Sequence, residues 1–217
     1  MVKLCLFDLD GTLLDTLGNI AGHMNATLAA FDLAPFPVSD YRYFVGNGAA
    51  ILTERVLRAR GVYTPSLMEA FFLRFQESYI SAPEQDVTVY DGIKELLVAL
   101  RAQGVAAAVC TNKPHAAAVA SVERFFGSDT FFAIAGAKEG VPRKPAPDAA
   151  RQLMQEAGAS TEETLFIGDS DADMLTAVAA GIRGFGAKWG FRTPEELTEA
   201  GAHALLDHPT DLLRFLF

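Results

Sequence analysis

The sequence contains few cysteines and no recognisable histidine motif for a metal. Its two cysteines, Cys5 and Cys110, both lie in apolar runs typical of strands, which indicates reduced core residues and not a disulfide or a metal pair. The four histidines, at positions 23, 115, 203 and 208, have neither the H-E-x-x-H pattern nor a Cys/His ligand spacing. A zinc site is therefore disfavoured, and we interpret all four histidines as structural or solvent-facing.

The chain also lacks an excess of positive charge and any long hydrophobic run. Its 27 acidic and 18 basic residues give a formal net charge of -9, without a block of lysine or arginine, so neither nucleic acid nor a membrane surface is expected as a partner. No apolar stretch approaches a membrane-spanning length, and the N-terminus does not resemble a secretory signal. We expect a cytoplasmic monomer or homodimer that holds any anionic substrate through local groups.

What the chain does have is enough apolar sequence for a core, since 50% of its 217 residues are hydrophobic. The first apolar run, at 4–7, predicts a strand buried on both faces. Helical periodicity over 15–85 predicts a helical cap inserted after this strand. Strand and helix patterns then alternate, so residues 1–14 and 86–217 are predicted to form the core, an α/β fold with a doubly wound, mainly parallel, Rossmann-like sheet.

Two carboxylates, Asp8 and Asp10, directly follow the first predicted strand, and Gly11 and Thr12 then end it with a turn. In parallel sheets, ligands bind beyond the carboxyl ends of the strands, which suits a catalytic pair. Asp-x-Asp-Gly is equally an ordinary Asx-turn sequence. This motif alone leaves both interpretations open.

Two further groups follow a predicted strand or lie in a restricted turn. Thr111 and Asn112 come after a strand predicted over 105–110 and before a helix predicted to begin at Pro114. They are placed either to bind a phosphate at the helix N-terminus or merely to cap the helix. Lys144 lies between prolines that restrict its backbone. A fixed lysine can neutralise a phosphoryl or carboxylate oxygen, although most lysines in proline-rich turns are solvated.

A fourth motif places acidic residues at positions 169, 171 and 173 after an apolar strand predicted over 164–167. Carboxylate oxygens are ligands that Mg²⁺ prefers, and Asp173 is placed to begin the next helix and orient the ligands. An EF-hand loop is the competing interpretation, but Met174 stands where that loop needs glycine. Because all four motifs lie at the edge of one predicted core, their side chains can converge into the groups that phosphoryl transfer requires.

These motifs resemble those of the haloacid dehalogenase-like superfamily of hydrolases, in the same order: D-L-D-G-T at 8–12, T-N at 111–112, K-P at 144–145 and G-D-S-x-x-D at 168–173. The inserted cap resembles the helical cap of the first subclass of that superfamily. Within it, F-V-G-N-G at 44–48, T-N-K-P at 111–114 and W-G-F at 189–191 are similar to the phosphoglycolate phosphatases. The chain departs from their pattern at Asp91-Gly92, where that family often has Pro-Gly.

The resemblance implies a role for each motif. Asp8 would be the nucleophile that forms an aspartyl-phosphate, and Asp10 would act first as general acid and then as general base. Mg²⁺ would be held by Asp8, the main-chain carbonyl of Asp10 and Asp169, with Asp173 orienting the ligands. The implied catalytic and substrate contacts include Lys144, Thr111, Asn112, Gly11 and Thr12.

The cap sequence Gly46-Asn47-Gly48 is the implied contact for the rest of the substrate, with Asn47 donating to a carboxylate. An ordinary loop before a helix is the alternative. Trp189 either closes the rim of the site or anchors the core.

The expected activity is Mg²⁺-dependent hydrolysis of a small anionic phosphate ester, 2-phosphoglycolate above all. A phosphatase for another small phosphate ester or pyrophosphate, and a sugar phosphomutase, are the enzymatic alternatives. A phospho-accepting regulatory module is the non-enzymatic one.

Overall fold

The computed structural model describes residues 1–81 and 86–217, and the chain divides into two compact units. The larger unit consists of Met1–Asp15 and Val89–Phe217, and the smaller unit of Thr16–Thr88. The predicted end of the cap at residue 85 lies outside the described residues.

In chain order, the described strands are β1 (Leu4–Phe7), β2 (Leu14–Asp15), β3 (Thr88–Val89), β4 (Ala106–Pro114), β5 (Ala133–Ala137), β6 (Thr164–Gly168), β7 (Arg183–Ala187) and β8 (Ala204–Leu206). The α-helices are α1 (Leu17–Ala30), α2 (Tyr41–Phe44), α3 (Ala49–Ala59), α4 (Pro65–Ser81), α5 (Ile93–Ala102), α6 (His115–Phe126), α7 (Asp148–Ala157), α8 (Asp171–Ala180) and α9 (Pro194–Glu199). Short 3-10 helices cover Val38–Asp40 and Pro209–Phe215.

The main sheet has the strand order β5-β4-β1-β6-β7-β8, and β2 and β3 form a separate two-stranded sheet. Each neighbouring pair of the main sheet is parallel. The chain runs from β1 outward through β4 to β5, and then from β6 outward to β8, so the strand order reverses between β1 and β6. This reversal is the switch point at which doubly wound sheets bind ligands. The predicted fold class is confirmed.

The central strand β1 is fully buried because it is covered on both faces. Leu4 and Leu6 pack in one cluster with side chains of α7 and α8, while their neighbours in the strand point to the opposite face. The cysteines fit this core: Cys5 and Cys110 are buried free thiols. Burial raises the pKa of Cys110 to about 12, which disfavours the thiolate form.

One predicted strand end is wrong. The strand predicted to stop at residue 110 continues as β4 to Pro114, which pairs with Ala137 of β5 after an irregularity in the register. The next helix, α6, therefore begins at His115 and not at Pro114. The loss of apolar character after Cys110 marks a change of side-chain chemistry and an irregularity in the pairing with β5, and not the end of the strand.

Other helix starts agree with the sequence. Helix α7 begins at Asp148 after Pro147, and α9 begins at Pro194. The predicted capping box is present: Glu196 N donates to Thr193 Oγ1 at 3.3 Å, and Thr193 N donates to Glu196 Oε2 at 2.8 Å. These bonds satisfy main-chain donors that the helix itself leaves unpaired.

The smaller unit is helical, built from α1 to α4 and the 3-10 helix Val38–Asp40. The segment between α1 and α2 is fastened to α1 through Asn25, whose Nδ2 donates to Phe36 O and whose Oδ1 accepts from Phe36 N, both at 2.9 Å. Tyr41 packs edge-on against Phe36 and Phe44. Across the described residues, no helix is both long and apolar enough to cross a bilayer.

Candidate active site

Three buried carboxylates meet at the switch point of the main sheet. Asp8 follows β1, Asp169 follows β6, and Asp173 lies in the first turn of α8. One ligand oxygen from each lies within 4.8 Å of the other two. The parallel register accounts for the first two, since Phe7 pairs with Ile167 and Asp8 N donates to Ile167 O at 2.9 Å.

Asp173 is fixed by the cap of its own helix. Ser170 precedes α8 and donates to Asp173 Oδ2 through both its main-chain N, at 2.9 Å, and its hydroxyl, at 2.6 Å. The other oxygen, Oδ1, accepts from Lys144 Nζ at 2.6 Å. Asp173 thereby both completes the capping box of α8 and belongs to the acidic cluster.

Lys144 is the cation at the centre of this cluster. Its Nζ lies 2.9 Å from Asp8 Oδ1, and 2% of its side chain is exposed, so it is not the solvated turn lysine of the alternative interpretation. Burial alone would lower the pKa of Lys144, but Asp173 and Asp8 raise it above its ordinary value. The buried ammonium therefore stays charged between two carboxylates.

Asn112 holds the main chain of Lys144. Its Nδ2 donates to Lys144 O at 3.1 Å, and its Oδ1 accepts from Lys144 N at 3.0 Å. The structure thus places the predicted substrate contact Asn112 at the base of the lysine. Thr111 is buried next to it, and its hydroxyl accepts from Lys113 N at 3.3 Å.

Asp169 is held by two donors from separate parts of the chain. Thr12 Oγ1 donates to its Oδ1 at 2.8 Å, and Phe191 N donates to its Oδ2 at 2.9 Å. Burial, followed by the charges of Asp173 and Asp8, raises the pKa of Asp169 well above its ordinary value. Burial and the charge of Asp173 also raise the pKa of Asp8 to about 6.

This donor set fits Mg²⁺. Three carboxylates and one ammonium leave two uncompensated negative charges, and burial together with the repulsion between these carboxylates raises the pKa values of Asp8 and Asp169. Hard oxygen donors at this spacing suit a small dication, whose charge would balance the cluster.

Close packing of two turns requires glycine in each. Gly11 has φ +91°, and a Cβ there would collide with the Asp169 carboxylate and lie 2.7 Å from Cε2 of Phe191. A Cβ on Gly190 would lie 2.6 Å from Gly11 O and collide with Asp169. Half-buried Trp189 fastens the same two turns, because its Nε1 donates to Thr12 O at 3.0 Å. Gly11 and Thr12 therefore help to position the side chain of Asp169.

Asp10, the second residue of the predicted catalytic pair, binds a lysine that the sequence reasoning missed. Its Oδ1 lies 3.0 Å from Lys113 Nζ, and 2% of the lysine side chain and 20% of the aspartate side chain are exposed. The sequence T-N-K-P could have indicated this lysine. If the strand continues past Cys110, Lys113 lies on the same face of it as the predicted site residue Thr111. The main chain of Asp10 forms an isolated bridge with Leu14.

The predicted substrate residues Gly46, Asn47 and Gly48 lie in the smaller unit. Both glycines have positive φ, +108° and +86°, which matches the loop interpretation. Arg55, a residue not predicted from the sequence, donates to Asn47 Oδ1 at 2.6 Å and to Phe44 O at 3.0 Å. The Asn47 carbonyl is thus engaged within its own unit.

Comparisons with known proteins agree on one family. The family model described as haloacid dehalogenase-like hydrolase matches residues 2–181. The phosphoglycolate phosphatase of Rhodospirillum rubrum is 35% identical over 212 residues, 95% of this chain and 88% of the relative. That of Cereibacter sphaeroides strain ATCC 17025 is 37% identical over 215 residues, 97% of each chain. The crystal structure of a proposed phosphoglycolate phosphatase from Lactobacillus delbrueckii subsp. bulgaricus superposes with a TM-score of 0.94 at 27% identity, over 99% of this chain and 98% of the other.

Proposed function

The chain belongs to the haloacid dehalogenase-like hydrolases and is a phosphatase, and from this premise we propose that it hydrolyses 2-phosphoglycolate through an aspartyl-phosphate on Asp8. The observation that carries the proposal is the position of Asp8 at the switch point, 2.9 Å from a buried lysine and within 4.8 Å of two further carboxylates. The proposed nucleophile thus lies beside a fixed cation and beside the carboxylates that we propose as metal ligands.

The first half of the proposed reaction is an in-line displacement at phosphorus. A carboxylate oxygen of Asp8 forms a bond to phosphorus while the bond to the ester oxygen breaks. Leu9 N and Lys144 Nζ both bind Asp8 Oδ1, at 2.7 Å and 2.9 Å, and this fixes the carboxylate for the attack. A covalent intermediate divides a difficult displacement into two easier ones.

Charge repulsion is the main obstacle to this step. Two like unit charges about 4 Å apart repel by on the order of 4 kcal/mol at an effective dielectric constant near 20. Lys144 offsets part of this between Asp8 and the incoming phosphate, and in the proposed reaction the Thr111 hydroxyl donates to a transferring oxygen. Mg²⁺, held by Asp8, Asp169 and the Asp10 carbonyl with Asp173 orienting them, would supply the remaining neutralisation when bound.

Asp10 moves the protons in both halves of the proposed reaction. Its carboxyl proton passes to the leaving ester oxygen, which departs as an alcohol. The resulting carboxylate then takes a proton from the water that attacks phosphorus, and Asp8 is released together with inorganic phosphate. The hydrolytic second half distinguishes a phosphatase from a phosphomutase, in which a sugar hydroxyl replaces the water.

The relatives of this chain support 2-phosphoglycolate as the substrate. The Rhodospirillum rubrum and Cereibacter sphaeroides relatives carry the name phosphoglycolate phosphatase, and each aligns with at least 95% of this chain. The amide group of Asn47 is the proposed donor to the substrate carboxylate, since the carbonyl of this side chain accepts from Arg55 within the smaller unit.

A panel of phosphate esters, assayed with and without Mg²⁺, tests the proposal. We expect release of inorganic phosphate from 2-phosphoglycolate far faster than from sugar phosphates or pyrophosphate, and loss of this activity in EDTA. Isomerisation of a sugar phosphate without phosphate release would instead establish a mutase. Phosphorylation that persists without turnover would establish the regulatory module.

A further inference from the structure

The ion pair between Lys113 and Asp10 is unusual in its burial. Lys113 Nζ lies 3.0 Å from Asp10 Oδ1, and 2% of the lysine side chain is exposed, the same fraction as for Lys144. Burying an ammonium is costly unless a well-placed anion compensates it. A lysine is therefore held inside the core beside a carboxylate that itself remains partly open to solvent.

The backbone on both sides of this pair is fixed. Lys113 lies in β4 directly before Pro114, which pairs with Ala137 of β5, and the main-chain N of Lys113 donates to Thr111 Oγ1 at 3.3 Å. Asp10 lies in the turn after β1 and bridges to Leu14. The two residues are 103 positions apart in sequence, so the sheet itself brings the ammonium to the carboxylate.

The pair leaves the two oxygens of Asp10 in different situations. Oδ1 is bound by Lys113, whereas Oδ2 accepts no hydrogen bond from any side chain or main-chain group in the described part of the chain. A carboxylate with one oxygen anchored can no longer rotate freely, so its second oxygen stays at one place. That oxygen is the one available to give and take protons.

We propose that Lys113 is a positioning residue for proton transfer: it anchors Oδ1 of Asp10 so that Oδ2 is held where the leaving alcohol and then the attacking water are bound. The inference rests on the proposed function, in which Asp10 is the acid and base. Lys113 acts through Asp10 and makes no contact with the reacting phosphorus. Misplacement of a catalytic group by about 1 Å can lower a rate by about 10²-fold.

The test compares Lys113→Met with wild type on esters of different leaving groups. The ratio kcat/KM reports the steps up to release of the alcohol. At this stage the alkyl leaving group of 2-phosphoglycolate is poor and needs a proton, whereas 4-nitrophenolate leaves from 4-nitrophenyl phosphate without one. We expect kcat/KM to fall by about 10²-fold on 2-phosphoglycolate and by less than about 5-fold on 4-nitrophenyl phosphate. Equal losses on both esters would overturn the proposal.

A double-mutant cycle with Asp10→Asn provides a second criterion. If Lys113 acts through Asp10, Lys113→Met causes no further loss of kcat/KM once Asp10 is replaced, because the group it positions has gone. Additive losses would assign Lys113 an independent role in binding the substrate anion and overturn the proposal. Lys138→Met, at an exposed lysine one residue beyond β5, is the matched control for loss of positive charge, and we expect wild-type rates from it.

The design also separates this inference from the proposed function. Wild-type protein that fails to hydrolyse any phosphate ester contradicts the proposed function itself. Active wild type with an unchanged Lys113→Met variant contradicts only the positioning role. Thermal unfolding of each variant, followed by circular dichroism, establishes that the compared proteins are folded. The effect of Lys113→Met is measured both in the wild type and in the Asp10→Asn variant.

Discussion

Asn112 and Lys144 bind one another through two hydrogen bonds, with Nδ2 of the asparagine donating to the lysine carbonyl and the lysine N–H donating to Oδ1 of the asparagine. The asparagine thereby fixes the backbone from which the Lys144 side chain reaches Asp8 and Asp173. A residue in strand β4 thus determines where the central cation of the site lies.

Asn112→Ala is expected to lower kcat by about 10-fold to 10²-fold, because Lys144 loses its fixed backbone. Loss of two buried hydrogen bonds should also lower the free energy of unfolding by about 1 to 3 kcal/mol. Steady-state kinetics and urea denaturation measure the two effects. Asn25→Ala is the control, since Asn25 makes a similar two-bond clamp to Phe36 in the smaller unit, where its Oδ1 also accepts from Tyr41 OH. A fall in kcat as large in Asn25→Ala would contradict the assignment to Lys144.

The two carboxylates of the first motif should respond differently to neutral substitution. Asp8→Asn is expected to abolish turnover, because the amide cannot form the phosphoryl bond. Asp10→Asn is expected to lower kcat by about 10² or more, because it removes proton transfer and keeps the nucleophile. Rates of phosphate release measure both variants. Asp171→Asn, at a carboxylate whose side chain is 45% exposed beside the cluster, should keep near wild-type rates.

The sequence predicts the positions of Asp8 and Asp169 well because both follow short, continuous apolar strands. A buried parallel strand is recognisable from its composition, and the carboxyl ends of such strands share one edge. The end of β4 is not recognisable in this way. Its last four residues are polar or proline, and the strand extends over them because Pro114 pairs with Ala137 of β5 after an irregularity in the register, which local hydrophobicity does not encode.

The hydrogen-bond partners of the site residues could not be predicted from the sequence, because they too depend on how distant segments pair. Thr12 bonds to Asp169 across 157 positions, and Asn112 bonds to Lys144 across 32. Residue types indicate that a threonine or an asparagine can donate a hydrogen bond, but the strand order decides what it donates to. Both residues were predicted as substrate contacts, and the structure engages both with other members of the site.

Gly11→Ala should damage the site more than its backbone strain alone would. Gly11 has φ +91°, and a Cβ there would collide with the Asp169 carboxylate. We expect a fall in kcat of at least about 10-fold, since Asp169 or its turn must move. Gly127→Ala is the control, because Gly127 has φ +83° with open space around its Cβ position. It should lower the free energy of unfolding by about 1 to 3 kcal/mol and leave kcat unchanged. Equal kcat in both variants would contradict the packing argument.

The metal-free protein is expected to lose stability as the pH rises from about 4 to about 6. Burial and the charge of Asp173 raise the pKa of Asp8 from 3.8 to about 6, and that of Asp169 moves in the same direction. The folded protein therefore keeps protons in this window that the unfolded chain has already released. Stability falls with rising pH wherever the folded state binds more protons, and a shift of this size at Asp8 corresponds to about 3 kcal/mol.

Urea denaturation in EDTA at a series of pH values measures this loss, and two comparisons assign it to the acidic cluster. Asp8→Asn removes one of the titrating groups, so its stability should depend less on pH over the same window. Mg²⁺ should restore the stability of the wild type above about pH 6, because a dication bound only by the folded protein favours the ionised carboxylates and shifts the unfolding equilibrium by mass action. A wild-type stability that stays level from about pH 4 to about pH 6 in EDTA, or that Mg²⁺ leaves unchanged above it, would show that the three carboxylates do not carry the charge assigned to them.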